Sequence, residues 1–332
     1  MDYSEIAPAL DGSTFMKSRR VSLGDTSGGQ LVVVGVPWES TKVSRLGCRF
    51  GPKAIREASY VSGYLLQSLQ GSGLIDTATR EVYVPATRHE LVDAGDLGLY
   101  HADVHETMRT VCDGISRITR TGALPVILGG DHFISYPAIQ GVVDGLAVAG
   151  RNETIGYVHV DAHMDLLDEL PWFGKLSSGS QVRRLIDSGT LDPKRMLMIG
   201  IGGVLPKVEW DYADSVGIHR LCRHELQAAP DIRASVRAAV ERVLTGCTAI
   251  YLTIDIDVND RTFAPGTGAA GASGGLFPGQ FLDVLAELRG LPLVGVDIVE
   301  VAPNLDPSGR TASLAATAIS TVLEERLFDR QG

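Results

Sequence analysis

Acids and histidines stand at the ends of apolar runs in this chain, and that placement constrains the fold more than any other feature. Six short runs rich in β-branched residues read as strands buried on both faces: LVVVGV (31–36), PVILGG (125–130), IGYVHVD (155–161), MLMIGI (196–201), TAIYLTIDID (248–257) and LPLVGVDIV (291–299). Helical patterns are predicted between them over 52–66, 104–120, 179–188, 231–245, 278–289 and 310–328. Such alternation predicts an α/β fold with a mostly parallel sheet covered by helices. Residues 1–30 are polar, with GDTSGGQ at 24–30, and read as an N-terminal arm. No linker or repeat interrupts the rest, so 31–332 reads as a single domain.

The polar interruptions fall where an open parallel sheet binds ligands, at the carboxyl ends of its strands. LGGDH ends in Asp131 and His132, VHVDAHMD in Asp161, His163 and Asp165, LTIDIDVND holds Asp255 and Asp257, and VDIVE holds Asp297 and Glu300. In extended backbone, residues spaced i, i+2, i+4 share a face, which would align Asp161, His163 and Asp165, and likewise Asp255 with Asp257. A lone strand-end aspartate is most often a cap or turn residue. So many buried like charges, however, repel one another and lose hydration unless a cation compensates them. His132, Asp161, His163, Asp165, Asp255 and Asp257 supply enough ligands for two divalent ions. Their mixture of imidazole and carboxylate suits Mn²⁺, with Ni²⁺, Co²⁺ or Fe²⁺ also fitting.

Composition removes other classes. Forty acids against thirty Lys and Arg leave a net charge of −10, which argues against a nucleic-acid or anionic-membrane partner. No window offers the ~20 apolar residues of a spanning helix. Cys48, Cys112, Cys222 and Cys247 are far apart and form no CxxC, so they read as free thiols, and a cytoplasmic setting is expected.

GGDH (129–132), DAHMD (161–165) and DIDVND (255–260) followed by APGTG (264–268) resemble the binuclear-metal ureohydrolase superfamily of arginase and agmatinase, on the agmatinase-like branch. GVP (35–37), GCRFGPKAIREAS (47–59) and VDIVEVAPNLDPSGRTASLAA (296–316) extend the resemblance. It implies a three-layer α/β/α domain, assembly into trimers or hexamers, and hydrolysis of a C–N bond in a linear guanidine or amidine, releasing urea or an analogue. It also implies that the six residues named above hold two metals, that Glu300 accepts the substrate's planar N–H donors, and that Asp165 passes a proton to the departing amine. Thr267 matches a threonine-bearing loop near the reacting carbon.

Several positions depart from that pattern. Ser178, in LSSGSQVRR, stands where arginase- and agmatinase-like members carry a histidine, and a hydroxyl is no proton acceptor near neutral pH. An active hydrolase with another small cationic substrate is the favoured expectation. A formimidoylglutamase-type enzyme, using Arg183 and Arg184 for the substrate's carboxylates, is one alternative. The other is a weakly active metal-binding subunit paired with a paralogue. Phe133 replaces a common serine and is expected to wall the crevice. For Trp172, beside Phe173, Asp168 and Glu169, two expectations stand equally: that it helps hold a cation, or that the loop packs its aromatics on a neighbouring subunit. Leu167 replaces the asparagine that arginase-like members use for an α-amino-acid head group, which disfavours arginine itself.

Overall fold

The computed structural model describes residues 13–63, 73–75, 80–269 and 274–331. Its centre is a nine-stranded sheet in which every paired neighbour is parallel. The strands are β1 (Arg19–Arg20), β2 (Gln30–Val36), β5 (Glu90–Asp96), β6 (Leu124–Gly129), β7 (Ile155–Val160), β8 (Met196–Ile199), β9 (His219–Leu221), β10 (Ala249–Asp255) and β11 (Leu293–Val299). Their order across the sheet is β1-β5-β2-β6-β11-β10-β7-β8-β9. A small antiparallel sheet joins β3 (Leu74–Ile75), β4 (Val82–Pro85) and β12 (Phe328–Gln331).

Residues of one strand divide between two cores. Val33, Val126, Val158, Leu252 and Val296 face one apolar cluster, while Val32, Ile127, Tyr157, Tyr251 and Val294 face the other. Side chains of a strand alternate between faces, so a sheet with two apolar faces must be covered twice. Helices Pro278–Leu288 and Arg310–Leu327 cover the first face, and Val104–Thr119 and Ser135–Val148 the second. The result is the three-layer α/β/α arrangement.

All six expected strands and all six expected helices are present, with boundaries shifted by a few residues; beyond residue 63 the 52–66 pattern lies outside the described residues. Residues 1–12 of the expected arm also lie outside them. Residues 13–30 are not a loose arm: Phe15 and Met16 are buried, and β1 adds a strand to the sheet edge by pairing with β5. Strand β5 itself escapes a hydropathy pattern because Asp93 lies inside it. That carboxylate is buried against Arg56 at 2.8 Å and accepts from the Phe15 N–H at 2.8 Å.

Candidate metal centre and active site

The four strands that bear the polar ends, β6, β11, β10 and β7, are consecutive neighbours. Because they are parallel, their carboxyl ends open on one crevice. Extended periodicity is not what aligns the groups there, contrary to the expectation from spacing. Strand β7 stops at Val160 and β10 at Asp255, and each then turns. Asp161 accepts a hydrogen bond from the His163 N–H at 2.6 Å, Asp255 from the Asp257 N–H at 2.8 Å, and Asp131 from the Phe133 N–H at 3.1 Å. The same aspartate-led turn thus ends three strands, so the cap-and-turn role of a strand-end aspartate and its availability to the crevice coexist. Gly130 permits the turn at Asp131: a Cβ there would lie 1.8 Å from the Trp38 carbonyl oxygen. Asp165 (φ 51°) and Glu300 (φ 68°) adopt left-handed backbone, a strained conformation that recurs at functional sites.

Three carboxylate oxygens converge on one ring nitrogen. His132 Nδ1 lies 3.0 Å from Asp161 Oδ2, 3.0 Å from Asp165 Oδ2 and 3.2 Å from Asp255 Oδ2. Neither His132 Nδ1 nor Asp161 Oδ2 has a hydrogen bond of acceptable direction, although both are buried. A ring proton could satisfy one of these oxygens at a time, whereas a cation among them satisfies all. The second group lies alongside: His163 Nδ1 is 3.1 Å from Asp257 Oδ2 and 3.4 Å from Asp161 Oδ1. Asp161 is common to both groups, offering one oxygen to each. This donor set of imidazole and carboxylate fits two divalent ions of borderline or hard character.

The electrostatics agree. Burial works against a charged His132, but the three close carboxylates raise its pKa well above the ordinary imidazole value. Asp255 is pushed well above the carboxylate range by burial, then by repulsion from Asp257 and Asp161. Asp257 is raised by burial as well, though His163 counters part of it. For Asp161 burial again opposes ionisation, yet His159, His132 and His163 hold its carboxyl well below the usual range.

Residues outside the original set support these groups. His159 stacks on His132, with ring centroids 5.1 Å apart, and its Nε2 lies 3.1 Å from Asp161 Oδ2. Its place near the carboxyl end of β7, two residues before Asp161, is the signal the sequence offers. With Nδ1 of His132 turned to the carboxylates, Nε2 is left to donate to Thr253 Oγ1 at 3.0 Å, and Thr253 donates to Asp297. Asp297 therefore lies within the sheet and steadies a ring, in place of the strand-end role its sequence position suggests. Gln181 donates to Asp165.

A cleft of about 170 Å³ opens beside the cluster, lined by His163, Asp165, Asp255, Asp257, Glu300, Ser178 and Lys42 among others. Ser178 reaches it as expected, its Oγ accepting from the Val43 N–H at 3.3 Å. Three expected pocket residues do not line it. Phe133 is buried edge-on against Trp38 at 6.0 Å, a core contact that fills the space behind the turn. Trp172 is 98% exposed on its loop. Thr267 is buried outside the lining, its Oγ1 accepting from the N–H of cleft-lining Ala269 at 3.3 Å. Arg183 and Arg184 are also committed elsewhere: Arg183 lies 4.0 Å over the Tyr212 ring, and Arg184 pairs with Asp168 at 2.7 Å and Asp187 at 2.9 Å.

Comparison with known proteins agrees with the geometry. The arginase-family profile matches residues 29–324. Guanidinopropionase of Pseudomonas aeruginosa is 31% identical over 327 residues, covering 97% of this chain and 94% of its own. The human mitochondrial guanidino acid hydrolase is 33% identical over 294 residues, covering 87% of this chain and 76% of its own. Among solved structures, proclavaminate amidinohydrolase of Streptomyces clavuligerus superposes with a TM-score of 0.76 at 29% identity, over 95% of this chain and 97% of that one. With its crevice, its paired imidazole–carboxylate groups and a match over nearly its whole length, the chain belongs to the arginase family and is an enzyme of the amidinohydrolase type.

Proposed function

We propose that the chain hydrolyses a C–N bond of a linear guanidino or amidino compound, releasing urea or an analogue. The observation that carries this is the convergence of Asp161, Asp165 and Asp255 on His132 Nδ1, beside the His163–Asp257 pair. Two divalent ions, Mn²⁺ foremost and Ni²⁺, Co²⁺ or Fe²⁺ with the same donor preference, would supply a nucleophile by acidifying bound water. His132, Asp161, Asp165 and Asp255 would hold one ion, and Asp161, His163 and Asp257 the other. Glu300, which lines the cleft, offers an oxygen to an N–H of the amidino group. Asp165, steadied by Gln181, is placed to pass a proton to the departing amine. Ser178 can relay a proton through water but cannot keep one.

Relatives named for guanidino acids favour a substrate of that kind, without the α-amino-acid head group. We assign the chain to the cytoplasm on its four free cysteines, and to a trimer or hexamer on its family. Among the described residues no helix is long and apolar enough to cross a membrane. A second reading, a weakly active subunit of a mixed assembly, draws support from Ser178 and from the buried Lys42–Glu300 pair. The formimidoylglutamase reading loses its carboxylate-binding arginines to Asp168, Asp187 and Tyr212.

The test is urea, formamide and ammonia release by the Mn²⁺- or Ni²⁺-loaded chain on agmatine, guanidinobutyrate, 3-guanidinopropionate, guanidine, alkylated guanidines and formimidoylglutamate. Urea from a guanidino compound supports the proposal. Formamide from the last substrate alone, or no turnover with any of them, refutes it.

A further inference from the structure

Glu300 already has a cation. Lys42 donates to Glu300 Oε2, and the two side chains are 4% and 1% exposed. The Cys48 thiol lies 3.4 Å from the same oxygen, and Oε1 accepts from the His132 N–H at 3.0 Å. A carboxylate offers about four acceptor positions, so only about one remains. A guanidinium needs two side by side to bind as a fork.

Lys42 is not a surface lysine that has folded inward. On one side Thr41 donates from its N–H and its hydroxyl to Asp131, at 3.2 and 2.8 Å. On the other side the Val43 N–H donates to Ser178, and the Ser178 N–H donates back to the Thr41 carbonyl at 3.0 Å. The stem packs on Gly268, where a Cβ would lie 2.6 Å from Lys42 Cε. The amine lines the cleft within the field of Asp255. Burial works against its charge, yet the adjoining carboxylate more than offsets that and holds its pKa above the ordinary lysine value. Buried against Glu300, the ammonium stands in the pocket as one half of an ion pair.

We infer that Lys42 is a specificity-determining residue: it fills the Glu300 acceptor and turns the pocket against substrates that bring net positive charge, in favour of amidino compounds carrying their own carboxylate. This rests on the hydrolase reading above and names its substrate class. An anionic arm cancels the repulsion between the guanidinium and Lys42, whereas a second ammonium adds to it. One N–H of the bound group still finds the free position on Oε1.

The test compares agmatine with 3-guanidinopropionate by titration calorimetry on the Mn²⁺-loaded full chain, which reads binding whether or not turnover follows. Wild type is expected to bind 3-guanidinopropionate about tenfold more tightly than agmatine or better. Lys42→Met should improve agmatine binding by about tenfold and change 3-guanidinopropionate by less than about threefold. Adding Glu300→Gln should cancel the agmatine gain. Lys42→Gln, which retains a hydrogen bond to Glu300, replaces the Met variant if that one does not fold. Equal affinities in wild type, a ratio unchanged by loss of the Lys42 charge, or no binding of either compound by any of these proteins overturns the inference. Selective binding without urea release would instead leave Lys42's role standing and remove the hydrolase reading.

Discussion

Replacing Thr253 with valine removes one hydroxyl and almost no volume, so its consequence can be worked from hydrogen bonds alone. Thr253 Oγ1 accepts from His132 Nε2 at 3.0 Å, donates to Asp297, and lies 3.3 Å from the Ser135 hydroxyl. All four residues are buried. Valine would strand His132 Nε2 completely and Asp297 in part, since Asp297 keeps the Tyr251 hydroxyl at 2.6 Å. A buried polar group left without its partner costs about 1–3 kcal/mol, so the two together should cost about 2–4 kcal/mol of stability. The effect on the metal groups is separate. With Nε2 unanchored the ring can rotate, and its Nδ1 no longer holds its place among three carboxylates. Loss of such an outer contact typically weakens metal binding by about 10–100-fold. The assay pairs denaturant unfolding of the chelated protein with competitive Mn²⁺ titration of the folded one. Thr253→Ser, which keeps the hydroxyl, should restore affinity. A valine variant with wild-type metal affinity would refute the claim that this hydroxyl positions the ligand.

Asp255→Ala and His163→Ala should each lower bound metal per chain, read by elemental analysis, and abolish urea release; full activity in either would sink the two-ion centre. Ser178→His places a proton acceptor in the cleft and should raise urea release about tenfold or more on the best substrate of the panel. A gain from a wild type with no measurable activity would favour the silent-subunit reading. Glu209 carries a pH signature: burial, with Asp165 and Asp161 adding repulsion, pushes its carboxyl up to about 7 from 4.5. A raised carboxyl pKa means that the folded state binds the proton more tightly than the unfolded one. Wild-type stability therefore falls as pH rises from about 4.5 to about 7, by at most about 3 kcal/mol. Glu209→Gln can still accept from the Leu166 N–H, now 2.8 Å from Glu209 Oε1. It should gain on wild type across that window, measured by thermal unfolding of the chelated protein.

The sheet and its flanking helices were legible because hydrophobic burial leaves periodic traces in a linear text. Where burial was achieved by other means, the traces failed. Helix Ser135–Val148 holds Pro137, Gly141 and Gly145, which resemble breakers in sequence. In the fold Gly141 admits the neighbouring helix, for a Cβ there would lie 2.4 Å from the Cys112 carbonyl. The six expected ligands come together because each is carried by a strand end. Lys42, His159 and Thr253 were missed for the opposite reason: their roles depend on which residue faces them across a long sequence separation. Phe133 and Trp172 were misplaced because aromatic character alone does not say whether a ring faces cleft, core or water.

Strand β11 lies between β6 and β10, yet it is the last long strand of the sheet to leave the ribosome. Without β11 the sheet order divides into β1-β5-β2-β6 and β10-β7-β8-β9, and β6 and β10 each lose a partner. His132 belongs to the first half, and Asp161, Asp165 and Asp255 to the second. The ligand cluster thus depends on β11, which pairs with both β6 and β10 and holds the halves in register. Unpaired apolar edges invite pairing with other chains, so displacement of β11 should expose two edges prone to aggregation. Because the groups that would hold an ion straddle this seam, a metal bound there would act as a rivet across the joint.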